Sequence, residues 1–258
     1  MKNSTLSVIM PALNEEKNIE GAIFSTIYAL EKHGIEGEII VINDGSTDNT
    51  ETLVNQIILE HSHVKLINHS KPCGIGYSFF DGVKNSKNDV VVMFPGDNEN
   101  NPDDALIFFY LMKNVDIIVP FISNIQVRSE FRRSLSALFR FIINLSFGIN
   151  LNYTNGTVFY NRAVLNEIDI KSFGFLYQAE ALIKLVKKGY LYAEVPNLLS
   201  KRTHGKSKAL SLKSLINIVH SYIKLFWEIN ILKTAKRLEE KDFCINSATK
   251  RRLGEKHD

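Results

Sequence analysis

Cysteine is nearly absent from this chain: Cys73 and Cys244 are the two it has, far apart and in no metal or redox spacing. That excludes a disulfide scaffold and a zinc ribbon, and it fits a reducing, cytoplasmic compartment. Long apolar runs are lacking too. No uncharged apolar stretch of about 18 residues occurs. The nearest, Ser134 to Leu151, is interrupted by Arg140, so a spanning helix is not expected. The opening residues, MKNSTLSVIMPALNEE, have neither the apolar core nor the cleavage site of a signal peptide. Charge of one sign is also missing: 31 Lys and Arg against 28 Asp and Glu leave +3, too little to expect nucleic acid as a partner. Gly74-x-Gly76 lacks the third glycine of the dinucleotide fingerprint, and no P-loop lysine motif occurs. Internal repeats and low-complexity segments are absent.

What is present is apolar sequence in short pieces. An apolar content of 45% over 258 residues supports a sizeable core in one large domain, or one domain with an appendage. Leu6 to Met10 reads as a strand ending at Pro11. Asn14 reads as the N-cap of a helix that keeps helical spacing from Ile19 to about Lys32. Glu38 to Asn43 is a second buried strand, and Asp48 with Glu51 resembles a capping box opening a helix to about Glu60. Val64 to Asn68 and Val90 to Phe94 are further strands, with a glycine loop and a helix between them. Strands alternating with helices predict an α/β fold, a mostly parallel sheet covered on both faces.

The strand ends carry the chemistry. Val90 to Phe94 runs into Pro95-Gly96 and then releases Asp97, Asn98 and Glu99. Ligands of open α/β sheets sit beyond the carboxyl ends of the strands. Oxygen ligands at this spacing suit a hard divalent cation, which in turn suits a diphosphate. Asn14, Asp44, Gly74 and Asp97 all follow strands, so one edge of the sheet can gather them into one cleft. The plainer reading makes Asp44, Asp97 and Asn98 turn or cap residues only.

The second half is different. Asp104 to Lys113 reads as a helix, and Asp116 to Val119 as a strand stopped by Pro120. Arg128, Arg132, Arg133 and Arg140 are interleaved with apolar residues. Such a basic amphipathic helix either packs on the sheet or meets a membrane surface or phosphorylated lipid. Asn155 to Tyr160 reads as turn and strand, Phe175 to Lys188 as a helix carrying Glu180, and Leu191 to Val195 as a strand stopped by Pro196. SKRTHGKS is a basic glycine loop that either meets an anion or is solvated. A second amphipathic helix follows, from Ser211 to about Leu232, and the charged tail from Lys233 reads as frayed or disordered.

SVIMPALNEEKNI, EIIVINDGSTDNT, KPCGIG, VVVMFPGDNE, TNGTVFYNR and EVPNLLSKRTHGKSK occur in the order and spacing of family 2 glycosyltransferases. The chain resembles their dolichol-phosphate mannosyltransferase-like branch over roughly residues 6–208. The resemblance implies a GT-A fold for residues 1–208, with an amphipathic helix and charged tail over 209–258. It implies a nucleotide-diphospho-sugar donor, Mg2+ or Mn2+, and inversion at the sugar carbon. By position, Pro11, Asn14, Glu15 and Asp44 would surround base and ribose, with Gly74 in the same donor site. Asp97, with Glu99, would ligate the metal. Arg202, Ser207 and Lys208 would lie near the donor phosphates, and Glu180 would serve as base or acceptor contact. Two positions depart from the pattern. Pro95 stands where the family has its first carboxylate, so the metal would rely on Asp97 with Glu99. The arginine that the polyprenyl-phosphate branch carries after its Thr-Ser-Gly-Phe is missing from Asn152 to Val158. The acceptor expected is a polyprenyl phosphate or a growing glycan, with peripheral contact at the inner face of the plasma membrane. A non-catalytic nucleotide-sugar-binding protein is the alternative. A sugar nucleotidyltransferase is disfavoured, because Met10 to Lys17 offers no basic glycine loop for a triphosphate.

Overall fold

The computed structural model describes residues 4–127, 130–197 and 212–255. In chain order the elements are β1 (Leu6–Ala12), α1 (Ile19–Lys32), β2 (Gly37–Asn43), α2 (Thr50–Glu60), β3 (Val64–Asn68), α3 (Ile75–Asn85), β4 (Val90–Met93), α4 (Pro102–Leu106), β5 (Ile117–Ile122), α5 (Glu130–Phe147), β6 (Phe159–Asn161), α6 (Arg162–Leu165), α7 (Tyr177–Lys188), β7 (Tyr192–Asn197), α8 (Leu212–Phe226) and α9 (Ala248–Gly254). They fall into two compact units, Met1–Tyr110 with Thr157–Arg162, and Leu111–Gly156 with Ala163–Asp258. The division expected at residue 208 lies outside the described residues.

In the first unit every residue of β1 is buried. It pairs in parallel with β2 on one side and β4 on the other, and β3 extends the sheet beyond β2. Strands buried on both faces read as continuous apolar runs, which is why Val8 to Met10, Ile39 to Ile42 and Val90 to Met93 show no alternation. α1 covers the sheet with Ile19, Ala22, Ile23, Ile27 and Leu30. α3 approaches so closely that a Cβ at Gly82 would lie 2.3 Å from Ile9 Cγ2. Each large aliphatic chain removed from water contributes about 1.5–3 kcal/mol, so β1 anchors the unit. Antiparallel β6 pairs with β4 through Val90 with Asn161 and Val91 with Tyr160, making the sheet mixed.

β1 does not end at Pro11 as its sequence suggests; its pairing with β2 runs on to Ala12. Phe94 and Gly96 donate their N–H groups to the carbonyls of Ile9 and Pro11. In a parallel ladder a residue's N–H and C=O point to the same side, so the donor that Pro11 lacks faces β4 just where β4 departs, and no ladder bond is lost.

In the second unit β5 and β7 pair in parallel from Ile117 with Tyr192 to Ile122 with Asn197. Pro120 and Pro196 lie inside these strands rather than stopping them. α5, α7 and the end of α8 share a helical core of Ile143, Phe147, Ala179, Ile183 and Leu225. The inward face of α5 therefore meets helices. A second stripe of α5 (Leu138, Phe141, Ile142, Leu145) is exposed, and so are Ile216, Val219, Ile223 and Phe226 of α8.

The tail, expected to be disordered, is ordered through α9. Buried Asp116 accepts the N–H groups of Ala248 at 2.6 Å and Thr249 at 3.0 Å, and also the Thr249 hydroxyl. Phe243 packs edge-on against Tyr190. A charged sequence conceals these two anchors because neither lies in a periodic pattern.

Candidate active site

The strand order β3-β2-β1-β4 reverses direction between β1 and β4. A crevice opens at the carboxyl ends of strands at such a switch point, and this is where open α/β sheets bind ligands. Of the residues expected in the first unit, Pro11 lies in the end of β1 itself, and Asn14, Glu15, Asp44, Gly74, Asp97 and Glu99 lie on loops that follow β1, β2, β3 and β4.

Asn14 is not a helix cap. It sits four residues before the N-cap, Asn18, with φ +59°. Its N–H donates to Ser46 Oγ at 2.9 Å, and its side-chain oxygen accepts the Thr47 N–H at 2.8 Å. Asparagine tolerates the left-handed region better than other side chains. Next to it, Glu15 donates its N–H to Thr50 Oγ1, and Glu16 donates to Asp48 Oδ2. The capping box is also replaced. Asp48 accepts the N–H and hydroxyl of Thr50, while Glu51 accepts from Asn68. Burial opposes the Asp48 charge, but these donors outweigh it and depress its pKa below the ordinary carboxylate value. The loops after β1 and β2 are thus laced together before any ligand arrives.

Asp44 is buried and fully employed. Its Oδ1 accepts the Cys73 N–H and meets His69 Nδ1, both at 2.8 Å, and its Oδ2 accepts the Gly74 N–H at 2.9 Å. In this structure it pins the Lys71–Gly74 loop to the end of β2. Gly45 makes that approach possible: at φ +75°, a Cβ there would lie 2.8 Å from the Lys71 carbonyl carbon. Gly74, at φ +100°, then opens α3. His69 also reaches Asp81 at 3.3 Å. Burial lowers the His69 pKa, but the two carboxylates outweigh it and the net shift is upward. His69 was missed as a site residue; the signal was its place directly after β3.

Asp97 stands on the opposite side of β1 from Asp44. The Asp44 N–H binds the Ala12 carbonyl and the Gly96 N–H binds the Pro11 carbonyl, so both loops clasp the last two residues of the same strand. A Cβ at Gly96 would sit 2.9 Å from Ile19 Cδ1 and 3.1 Å from Ala12 Cβ, so the loop is seated closely on α1 and β1. Asp97 Oδ1 accepts the Glu99 N–H at 3.1 Å. Its Oδ2 has no protein partner among the described residues. Asn98, at φ +56°, folds its side chain over Gly21 of α1.

Two carboxylate groupings bear on a cation. Asp44, His69 and Cys73 bring ligand atoms within 4.8 Å of one another, but both Asp44 oxygens already hold loop donors there, and a mixed O, N, S set suits softer metals than Mg2+ or Mn2+. Asp97 and Glu99 are half-buried at the crevice. One or two carboxylates completed by substrate phosphates is the set Mg2+ takes, so these residues fit the ion.

Glu180 belongs to the second unit and is 1% exposed. It accepts the N–H groups of Lys171 and Ser172 and pairs with Lys184 at 2.7 Å; Lys184 also pairs with Glu228 at 2.9 Å. Arg202, Ser207 and Lys208 lie outside the described residues.

A mostly parallel sheet with an antiparallel β6, and loops converging beyond β1, β2 and β4, defines the GT-A class of α/β proteins. Glucosyl-3-phosphoglycerate synthase from Mycobacterium tuberculosis, solved with UDP, superposes with a TM-score of 0.64 at 21% identity over 87% of this chain and 79% of that one. The same enzyme solved with Mn2+, UDP-glucose and phosphoglyceric acid gives 0.61 at 20% identity, over 84% and 79% of the two chains. The chain belongs to glycosyl transferase family 2, whose family model matches residues 7–169. A dolichyl-phosphate beta-glucosyltransferase of Trichomonas vaginalis is 33% identical over 101 residues, 37% of this chain and 30% of that protein. An undecaprenyl-phosphate 4-deoxy-4-formamido-L-arabinose transferase of Shewanella sediminis is 24% identical over 218 residues, 83% of this chain and 64% of that protein. The chain spans between 30% and 66% of the length of three such curated relatives. Among the described residues no helix is long and apolar enough to cross a membrane.

Proposed function

We propose that the chain is an inverting glycosyltransferase that moves a sugar from a nucleotide-diphospho-sugar to the phosphate of a polyprenyl phosphate. The carrying observation is the pair of loops clasping the end of β1, one bearing Asp44 and the other Asp97 with a free carboxylate oxygen. The nucleoside half of the donor lies along Pro11, Asn14, Glu15, Asp44 and Gly74. The diphosphate lies toward Asp97 and Glu99; by the family resemblance Arg202 and Lys208 would offer it positive charge and Ser207 a hydroxyl. The Mg2+ or Mn2+ that Asp97 and Glu99 would hold stabilises the charge that builds on the leaving nucleoside diphosphate.

The state of Glu180 supports a phosphate acceptor. A sugar hydroxyl needs a carboxylate to take its proton, and Glu180 is occupied by Lys184 and two backbone N–H groups. A phosphate oxygen is already ionised. It attacks the anomeric carbon from the face opposite the diphosphate, the bond to the diphosphate breaks, and the electron pair leaves with it. The names of the relatives, which act on dolichyl and undecaprenyl phosphate, support the same acceptor. The exposed stripes on α5 and α8 support peripheral contact with the cytoplasmic face of a membrane.

The test begins with thermal shifts against UDP, GDP, CDP and dTDP, with and without Mn2+. One of them should stabilise the protein in a metal-dependent way, by about 2.7 kcal/mol at a hundredfold excess over its Kd. Asp97→Ala should then abolish transfer to a polyprenyl phosphate. Undiminished turnover would sink the site, and nucleotide binding with no turnover at any metal concentration would favour the non-catalytic alternative.

A further inference from the structure

The second unit holds a cavity of about 550 Å3 lined by none of the residues assigned to the donor. Lys187, Lys233, Lys236 and Arg237 line it beside Ile149 and Ile229, and no carboxylate does. Three helical segments end there: α5 at Phe147, α7 at Lys188 and a π-helical turn at Ile231. Helix C-termini attract cations, so the first account of the lysines is capping. Lys187 fits that account, donating to the Phe147 carbonyl at 3.0 Å. The other three do not: among the described residues Lys233, Lys236 and Arg237 have neither a carboxylate nor a carbonyl partner. A helix end carries about half a negative charge, so four cations exceed what three such ends neutralise. Lys233 also sits at φ +52°. That is the left-handed conformation with which helices commonly end just past the C-cap, here Leu232.

The surroundings say what kind of anion. Ile229 and Lys233 line the cavity, and between or beside them Trp227, Ile231 and Leu232 are 59%, 52% and 62% exposed. Leu145, three residues before the lining Gly148, is 72% exposed. Cations lining a hollow, with exposed aliphatic groups and a tryptophan next to the lining residues in the chain, match a membrane interface, where apolar groups enter the acyl boundary and cations meet headgroups. We infer that this cavity binds the phosphate group of an anionic glycerophospholipid and so fixes how the protein sits on the membrane. The inference rests on the membrane-contact reading of α5 and α8, and concerns a site separate from the donor crevice.

The test uses the full chain and its single tryptophan, Trp227. Vesicles of phosphatidylcholine alone are compared with vesicles containing phosphatidylglycerol, and a short-chain phosphatidylglycerol is titrated below its micelle concentration. Wild-type protein should prefer the anionic vesicles, and the monomeric lipid should change Trp227 emission saturably. Lys233→Gln/Lys236→Gln/Arg237→Gln should weaken binding to anionic vesicles about a hundredfold, at roughly 1 kcal/mol per basic residue near the surface, and abolish the saturable signal. Lys84→Gln/Lys87→Gln, in the other unit, should do neither. Ile231→Ser/Leu232→Ser should weaken binding to both vesicle types. A triple variant that binds anionic vesicles like wild type overturns the proposal. So does inorganic phosphate that reproduces the Trp227 change while vesicle binding ignores lipid charge, because the ligand is then free phosphate. If wild-type protein ignores all vesicles, the membrane reading falls with it, whereas equal binding to both vesicle types removes only the cavity.

Discussion

Glu180 and Asp97 are both carboxylates in a chain of glycosyl transferase family 2, and their surroundings differ. Glu180 shares buried Lys184 with Glu228. Removing one member of such a group leaves an uncompensated charge, so Lys184→Met should cost about 3–5 kcal/mol, read as a lower urea midpoint. Glu180→Gln turns one of the two accepting oxygens into an NH2 donor, so it loses the bond from Lys171 or from Ser172, and it should lower stability with little effect on kcat. A loss of a hundredfold or more in kcat at unchanged stability would instead restore Glu180 as the base. Asp97→Asn should behave in the opposite way, with melting unchanged and turnover down about 10²–10³-fold. His69 brings a pH dependence. Its folded pKa is raised above 6.5 by Asp44 and Asp81 against the effect of burial. Its contribution is therefore complete below that value and fades as pH climbs through the raised one. Relative to His69→Gln, the wild-type Tm should fall as pH rises from below 6.5 through the raised value. Parallel curves would show that the imidazolium contributes nothing.

At the scale of elements, the buried strands were legible because a parallel sheet hides both faces and leaves continuous apolar runs. Their punctuation was less so. Pro11, Pro120 and Pro196 read as stops, yet each lies within a strand. A proline breaks a ladder only if its missing donor faces a partner, and a one-dimensional reading does not say which way that donor points. Asn14 and Asp48 were rightly placed at loops but assigned to capping their own helices; they tie two loops to each other, a long-range pairing that spacing does not encode. Gly45 is the element-scale test. Gly45→Ala would force both the left-handed backbone and a 2.8 Å contact with Lys71. It should destabilise the protein by at least about 1–3 kcal/mol and weaken nucleotide binding by displacing the loop that Asp44 holds. Denaturant titration and calorimetry measure the two effects.

At the scale of the molecule, the order of motifs in the first unit announced the fold and the edge of the sheet where its loops gather. The second unit was poorly legible. Its helices meet one another through Ile143, Phe147 and Leu225, and its last helix depends on Asp116, more than a hundred residues earlier in the chain. Deleting the residues after Cys244 should therefore strand a buried carboxylate and cost more than about 1–3 kcal/mol, a loss that a tail without structure would not produce.

The first unit contains one piece borrowed from much later in the chain. β6 lies along β4, and Arg162 beside it donates Nε–H to the Asn88 carbonyl at 2.6 Å and its own N–H to Asp89. A fragment cut at residue 110 would keep the loops after β1, β2 and β4 but bare one flank of β4, a row of unpaired backbone donors and acceptors inviting other chains to dock. Anyone seeking a minimal donor-binding module from this polypeptide would need to splice residues 157–162 back onto that flank, or expect a precipitate.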